Sequence, residues 1–126
     1  MNIATPGIAI ELVEIAPQVW EIQATVWMVE TTYGVKIGRK ATQGEVEVVI
    51  SKELTLTNPE VGRGKTDAYG LVTINGRLTD GYYVIVATHL ATGKRVKGTI
   101  MCPKTGTWSY SNPVSGPPWY PTEEMP

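Results

Sequence analysis

Few residues in this chain have the chemistry to act on a substrate. His89 is the only histidine and Cys102 the only cysteine. A cysteine–histidine nucleophile pair needs imidazole and thiol within reach of one another and a third group to orient the base. Neither Thr88-His89-Leu90 nor Cys102-Pro103 supplies that third group, so His89 reads as a strand-end or turn residue. A single cysteine allows no internal disulfide, which fits a reducing compartment or a disulfide-free exterior module. Cys102 reads as an inert, half-buried thiol. Lys36, Arg39 and Lys40 are gathered between Gly34 and Gly44. The glycine spacing lacks the Lys-Ser/Thr ending of a phosphate loop and follows no strand–helix unit, so these cations read as a solvated loop. Calcium needs several converging oxygens, and only Asp67, Asp80 and distant glutamates are on hand. No metal, no cofactor and no catalytic residue is expected, and the chain reads as a non-enzyme.

Aromatic residues are the other candidates. Trp27 interrupts the polar face of an otherwise alternating segment. Trp108, Tyr110, Trp119 and Tyr120 sit in a proline-rich tail. These five are the expected interaction residues, either covered by packing or forming a contact surface. Asp67 and Gly70 have a different character. An aspartate can accept backbone N–H groups two residues on, and glycine tolerates positive φ, so this pair reads as turn chemistry.

The elements that must position them are strands. Residues 8–15 alternate imperfectly, with Ile8, Ile10, Leu12 and Ile15 apolar, between Gly7 and Pro17. Residues 19–33 place Trp20, Ile22, Ala24, Val26 and Met28 on one face and Glu21, Gln23 and Thr25 on the other, a period of two. Gly34–Gly44 reads as a polar connection. Residues 45–51 turn Val46, Val48 and Ile50 inward and Glu45 and Glu47 outward. Leu54 and Leu56 continue as a short strand that Asn58-Pro59 stops, and Gly62-Arg63-Gly64 reads as a flexible link. Leu71–Ile74 is a strand, Asn75–Gly81 a longer connection with Leu78 inward. Tyr82–Thr88 is apolar enough to read as a central strand covered on both faces. Ala91–Lys94 turns the chain into a strand at 95–100, where Gly98 marks a small or bulged site. Pro103 ends the sheet. From there six prolines alternate with the tail aromatics, an extended arm with one short strand at Thr107–Tyr110; Glu123 and Glu124 read as solvated. No heptads, helix or internal repeat emerge.

At 126 residues, with 42% hydrophobic and 18% charged residues, the chain is one globular domain able to bury a core without staples. Formal net charge is -1, which favours neither nucleic acid nor an anionic membrane as partner. The first residues lack the basic segment and apolar run of a classical signal peptide, and Glu11, Glu14 and Pro17 interrupt every stretch long enough to span a bilayer as a helix. About seven short strands with turn signals every 8–12 residues or so indicate an all-β antiparallel sandwich. Its expected layout is an N-terminal arm or first strand (1–18), a β-sandwich (19–102) and a Pro/aromatic C-terminal arm (103–126).

Thr66-Asp67-Ala68-Tyr69-Gly70-Leu71-Val72-Thr73-Ile74, followed by Asp80-Gly81-Tyr82-Tyr83-Val84-Ile85-Val86-Ala87, carries a resemblance. A Thr-Asp-x-x-Gly turn leading a strand, then a Gly-x-Tyr-x-Val strand, resembles the bacterial immunoglobulin-like domains of the invasin and intimin type and the prealbumin-like, carboxypeptidase-regulatory-like domains. Ala24-Thr25-Val26 and Val46-Glu47-Val48 sit where earlier strands of such domains fall. The resemblance covers about residues 19–100 and leaves out both ends. It implies an immunoglobulin-like β-sandwich of the kind found in adhesins, surface layers, appendages and phage structural proteins. Two functions are therefore expected. One is a structural or assembly subunit of a virion, filament or surface layer, with arms that contact neighbouring subunits or add strands to their sheets. The other is an adhesin-like or carbohydrate-binding module whose tail aromatics hold a glycan or a cell-surface protein. Both place the chain on a virion or outside the cell.

Overall fold

Period-two alternation of burial runs along β4 and β7, each with one face on the core. The computed structural model describes residues 5–33, 35–53, 59–79, 81–102 and 123–124. These residues form strands and turns and contain no helix: β1 (Thr5–Ala16), β2 (Val19–Thr32), β3 (Val35–Lys40), β4 (Val46–Lys52), β5 (Glu60–Lys65), β6 (Leu71–Leu78), β7 (Gly81–His89), β8 (Arg95–Cys102) and β9 (Glu123–Glu124). All pairings are antiparallel. One sheet runs β1-β2-β3 with β6 also on β2, and the other runs β5-β4-β7-β8-β9.

One apolar cluster joins the two sheets. The first contributes Ile8, Ile10, Ile22, Ala24, Val26, Met28, Val72, Ile74 and Leu78; the second contributes Val46, Val48, Ile50, Tyr83, Ile85, Ala87, Val96, Ile100 and Cys102. Burying a side chain of the Val or Ile size stabilises by about 1.5–3 kcal/mol, so this seam is the main source of stability. Cys102 is buried in it, deeper than the half-burial expected. Ile15, by contrast, is exposed near the end of β1, at the register shift between Glu14 and Ala16.

The strand β2 does more than its neighbours. β1 covers one edge of it from Val19 to Val29. On the other edge β6 pairs with Trp20–Thr25 and β3 with Trp27–Thr32, so β3 and β6 lie end to end. Gly70 sits at their junction. Its carbonyl accepts from the Val26 N–H at 2.8 Å, while the Val26 carbonyl accepts from the Ala41 N–H at 2.9 Å. Gly70 has φ +75°, and a Cβ there would lie 3.0 Å from the Val26 oxygen and 3.1 Å from the Ala41 oxygen. Only a residue without a side chain lets three segments meet at that point.

Several expected connections are strands or bulges. Val35–Lys40, read as a loop, is β3, because the far half of β2 needs a hydrogen-bonding partner. Gly62-Arg63-Gly64, read as a flexible link, belongs to β5 and pairs with β4. Gly64 is required there by proximity, since a Cβ would lie 2.8 Å from Val72 Cγ1 where β5 passes β6. Asn75–Gly81, read as a longer connection, holds the rest of β6 as far as Leu78: Ile22 pairs with Ile74 and Glu21 with Arg77, so Asn75 and Gly76 are looped out as a bulge within the strand. β7 is buried on one face only. Tyr83, Ile85 and Ala87 are buried, Val84 and Val86 are half-buried, and Tyr82 is exposed. β1, expected as an N-terminal arm or first strand, is a strand of the first sheet paired along β2. Glu123 and Glu124 pair through the backbone with β8. The short strands expected at Leu54–Leu56 and Thr107–Tyr110 fall outside the described residues.

Where β6 turns into β7, Tyr83 reaches back across the connection. Its hydroxyl accepts from the Thr79 N–H at 3.0 Å and donates to the Thr79 carbonyl at 2.9 Å. Tyr83→Phe leaves both Thr79 groups without this partner and is expected to cost about 1–3 kcal/mol. Gly70→Ala is expected to cost at least as much, about 1–3 kcal/mol from backbone strain alone, with crowding against Val26 and Ala41 added. Urea unfolding midpoints of the two variants check both values, and an unchanged midpoint for Gly70→Ala contradicts the junction described above.

Candidate functional site

Three connections converge at one end of the two sheets: residues 41–45 between β3 and β4, 66–70 between β5 and β6, and 90–94 between β7 and β8. Backbone hydrogen bonds weave them together. The Gly44 N–H donates to the Thr66 carbonyl at 2.7 Å, the Thr66 N–H to Val46 at 3.0 Å, and the Leu90 N–H to Glu45 at 3.0 Å. Thr66 is a buried polar residue. Its hydroxyl donates to the Thr42 carbonyl at 2.7 Å and accepts from the Val46 N–H at 3.3 Å, as a buried hydroxyl must if it is not to destabilise.

Glu45 is the centre of this end. One carboxylate oxygen accepts from Arg39 at 2.9 Å, from the Thr42 N–H at 2.9 Å and from the Thr42 hydroxyl at 3.2 Å. The other accepts from Arg39 at 2.7 Å and lies 2.9 Å from His89 Nε2. The Glu45 and His89 side chains are only 13% and 12% exposed, whereas Arg39 is 56% exposed. The Arg39 guanidinium holds the Glu45 carboxyl far below the usual carboxylate range, with help from Thr42 and His89 and against the cost of burial. Glu45 is thus ionised and accepts only, so His89 Nε2 must donate to it. In the neutral ring Nδ1 then accepts, and the Thr92 hydroxyl 2.7 Å away is its donor.

Carboxylate, imidazole and hydroxyl in series is also the order of contacts in nucleophilic triads. Two features distinguish this cluster. Arg39 takes both carboxylate oxygens in a bidentate pair, offsetting the negative charge that would stabilise an imidazolium. Both ring nitrogens of His89 are engaged within the protein, and Thr92 Oγ1 also accepts from the Lys94 N–H at 3.4 Å inside its own turn. The wiring is that of a clamp: Arg39 from β3, Glu45 from the approach to β4, His89 from the end of β7 and Thr92 from the β7–β8 turn are tied through one carboxylate.

The expected turn pair lies in the adjacent connection. Asp67 Oδ1 accepts from the Tyr69 N–H at 2.7 Å and the Leu71 N–H at 3.0 Å. The Asp67 N–H donates to Leu71, and the Gly70 N–H donates to the Asp67 carbonyl. One carboxylate therefore shapes the turn that delivers Gly70 to the β2 edge. Among the described residues no three metal-ligating side chains converge. Trp27 lies on the face of β2 opposite the core, half-buried, with Gly7 and Lys40 as its register partners; Lys40 Nζ is 5.9 Å from its ring centroid. Trp108, Tyr110, Trp119 and Tyr120 lie outside the described residues. The clamp residues were not singled out as a group by the sequence. Arg39 reads as a solvated loop cation, Glu45 as an outward strand residue and His89 as a turn residue, and no spacing rule links positions so far apart.

Comparison of the chain with family models, with curated proteins and with solved structures returned no match.

Because folding lowers the Glu45 carboxyl from its ordinary 4.5, its stabilisation is fully present above that value and is lost as pH falls below it. Glu45→Gln is expected to destabilise by about 1–3 kcal/mol at neutral pH, with the gap to the unaltered protein narrowing between about pH 5 and pH 3. Thermal melts across that range check it. A gap that stays constant with pH would show that the Glu45 charge contributes nothing.

Proposed function

We propose that this chain is a non-enzymatic structural subunit, an immunoglobulin-like β-sandwich that assembles with neighbouring copies in a virion, filament or surface layer through its terminal segments. The finer fold reading rests on strand order and on one side chain. With the short β3 set aside, seven strands remain before the C-terminal segment. The first, second and fifth of them share one sheet; the third, fourth, sixth and seventh share the other. That partition resembles immunoglobulin-like sandwiches, with the fourth strand on the second sheet. Tyr83, near the start of the sixth of these strands with its hydroxyl on the backbone of Thr79, has the form of the tyrosine corner of such folds.

The observation that carries the assembly reading is β9. The C-terminal segment ends by adding a strand to the exposed edge of β8, so its backbone is suited to strand addition, a common mode of joining one chain to another. The opposite edge of that sheet is managed differently. β5 carries Glu60, Arg63 and Lys65, and Arg63 pairs with Glu60 and lies 3.9 Å from Glu47. Charge on an edge strand discourages further pairing. The sheet thus has one edge blunted by charge and one edge that accepts a strand.

Sedimentation velocity over a concentration series tests this reading. The full chain is expected to self-associate, and a chain ending at residue 102 is expected to stay folded but monomeric. A truncated chain that assembles as the full one does would overturn the role given to the arm.

A further inference from the structure

The register of β9 on β8 is specific: Glu124 pairs with Val96 and Glu123 with Lys97, two residues from Arg95. The register position of Glu123 is thus opposite a lysine, the charge order that favours cross-strand pairing. Only two residues form β9, so the contact is small and separable from the core. Chain length is the second observation. Returning from Cys102 to the level of Lys97 spans roughly 17 Å along β8, at ~3.3 Å per residue. Residues 103–122 supply roughly 65 Å when extended. The connection is several times longer than the cis pairing requires.

We infer that the outer edge of β8 around Arg95–Lys97 is an acceptor site for the Glu123–Glu124 strand of a second copy of this chain, exchanged for the chain's own strand. The inference rests on the assembly reading and names its acceptor, its register and its partner. In a lone chain the tethered strand wins, because the covalent tether holds it at an effective concentration on the order of millimolar. Between packed neighbours the local concentration of the second copy's strand is comparable, and the same pairing then joins two chains. Exchange of identical elements between protomers is a low-cost route to association, since every contact in the joined state already exists in the single chain.

That symmetry gives a sharp test. Lys97→Glu puts like charges together in both the cis and the exchanged state, and so does Glu123→Lys. Each variant alone should therefore self-associate about as the unaltered chain does. In an equimolar mixture, the acceptor of one variant faces the strand of the other with opposite charges at both junctions, while each lone chain keeps its repulsion. The mixture is expected to form a heterodimer roughly tenfold tighter than either variant with itself, read by sedimentation velocity with one component fluorescently labelled. Unchanged melting temperatures of the separate variants show that both are folded. A mixture that associates no more tightly than its components overturns the exchange. If the full chain nevertheless assembles and the chain ending at residue 102 does not, the assembly reading stands with a different acceptor. If the full chain does not self-associate and the mixture forms no heterodimer, both fall.

Discussion

Val26 is hydrogen-bonded through its N–H to Gly70 and through its carbonyl to Ala41, and the two-sheet arrangement depends on that pair of bonds. β2 is longer than any partner on that edge, and its backbone groups must all be satisfied. β6 serves its first half and β3 its second. Between them the chain leaves β3 at Ala41 for the other sheet and returns through the Asp67 turn. Left-handed Gly70 lets these two passages touch the same residue of β2. The carboxylate of Asp67 shapes the turn, the turn delivers the glycine, and the glycine brings the two passages to one point.

The Glu45 clamp lies beside this junction and holds what the junction assembles. Arg39 comes just before Ala41, Thr42 just after it, His89 ends β7 and Thr92 belongs to the turn that follows. A partly buried ionised carboxylate is costly unless its lone pairs are filled. Here they are filled by five donors from three chain segments. The same set of contacts that neutralises Glu45 also aligns β4 with β7, whose register begins at Val46 and His89.

Sequence reading recovered what is periodic and local. Strict alternation in β2 and β4 marked Ile22, Ala24, Val26, Met28, Val46, Val48 and Ile50 as core, and all are buried. It failed where tertiary demand decides conformation. Gly62-Arg63-Gly64 looks like a linker because glycine is flexible, yet Gly64 is in β5 because β6 passes too close for a side chain. Asn75–Gly76 carries the strongest hairpin signal in the chain and is spent on a bulge that re-registers β6 on β2. β3 has a weak pattern of its own and is a strand because β2 needs it. The clamp was invisible for another reason: Glu45 and His89 are brought together only when β4 pairs with β7, and charge alone does not reveal such pairs.

The double partnership of β2 also sets the order in which the fold can be reached. β1 and β3 are its immediate chain neighbours, each joined by a short turn, so those pairings close small loops at low entropic cost. The β7–β8 hairpin is equally local. β6 is different: it must return to β2 after the chain has built β3, β4 and β5, and β4 must find β7 across an interval that holds β5 and β6. Pairings of such sequence separation slow folding. The two β2 hairpin pairings and the β7–β8 hairpin can therefore precede the docking of β6, and the Gly70 turn is the place where early and late parts of the molecule are finally joined.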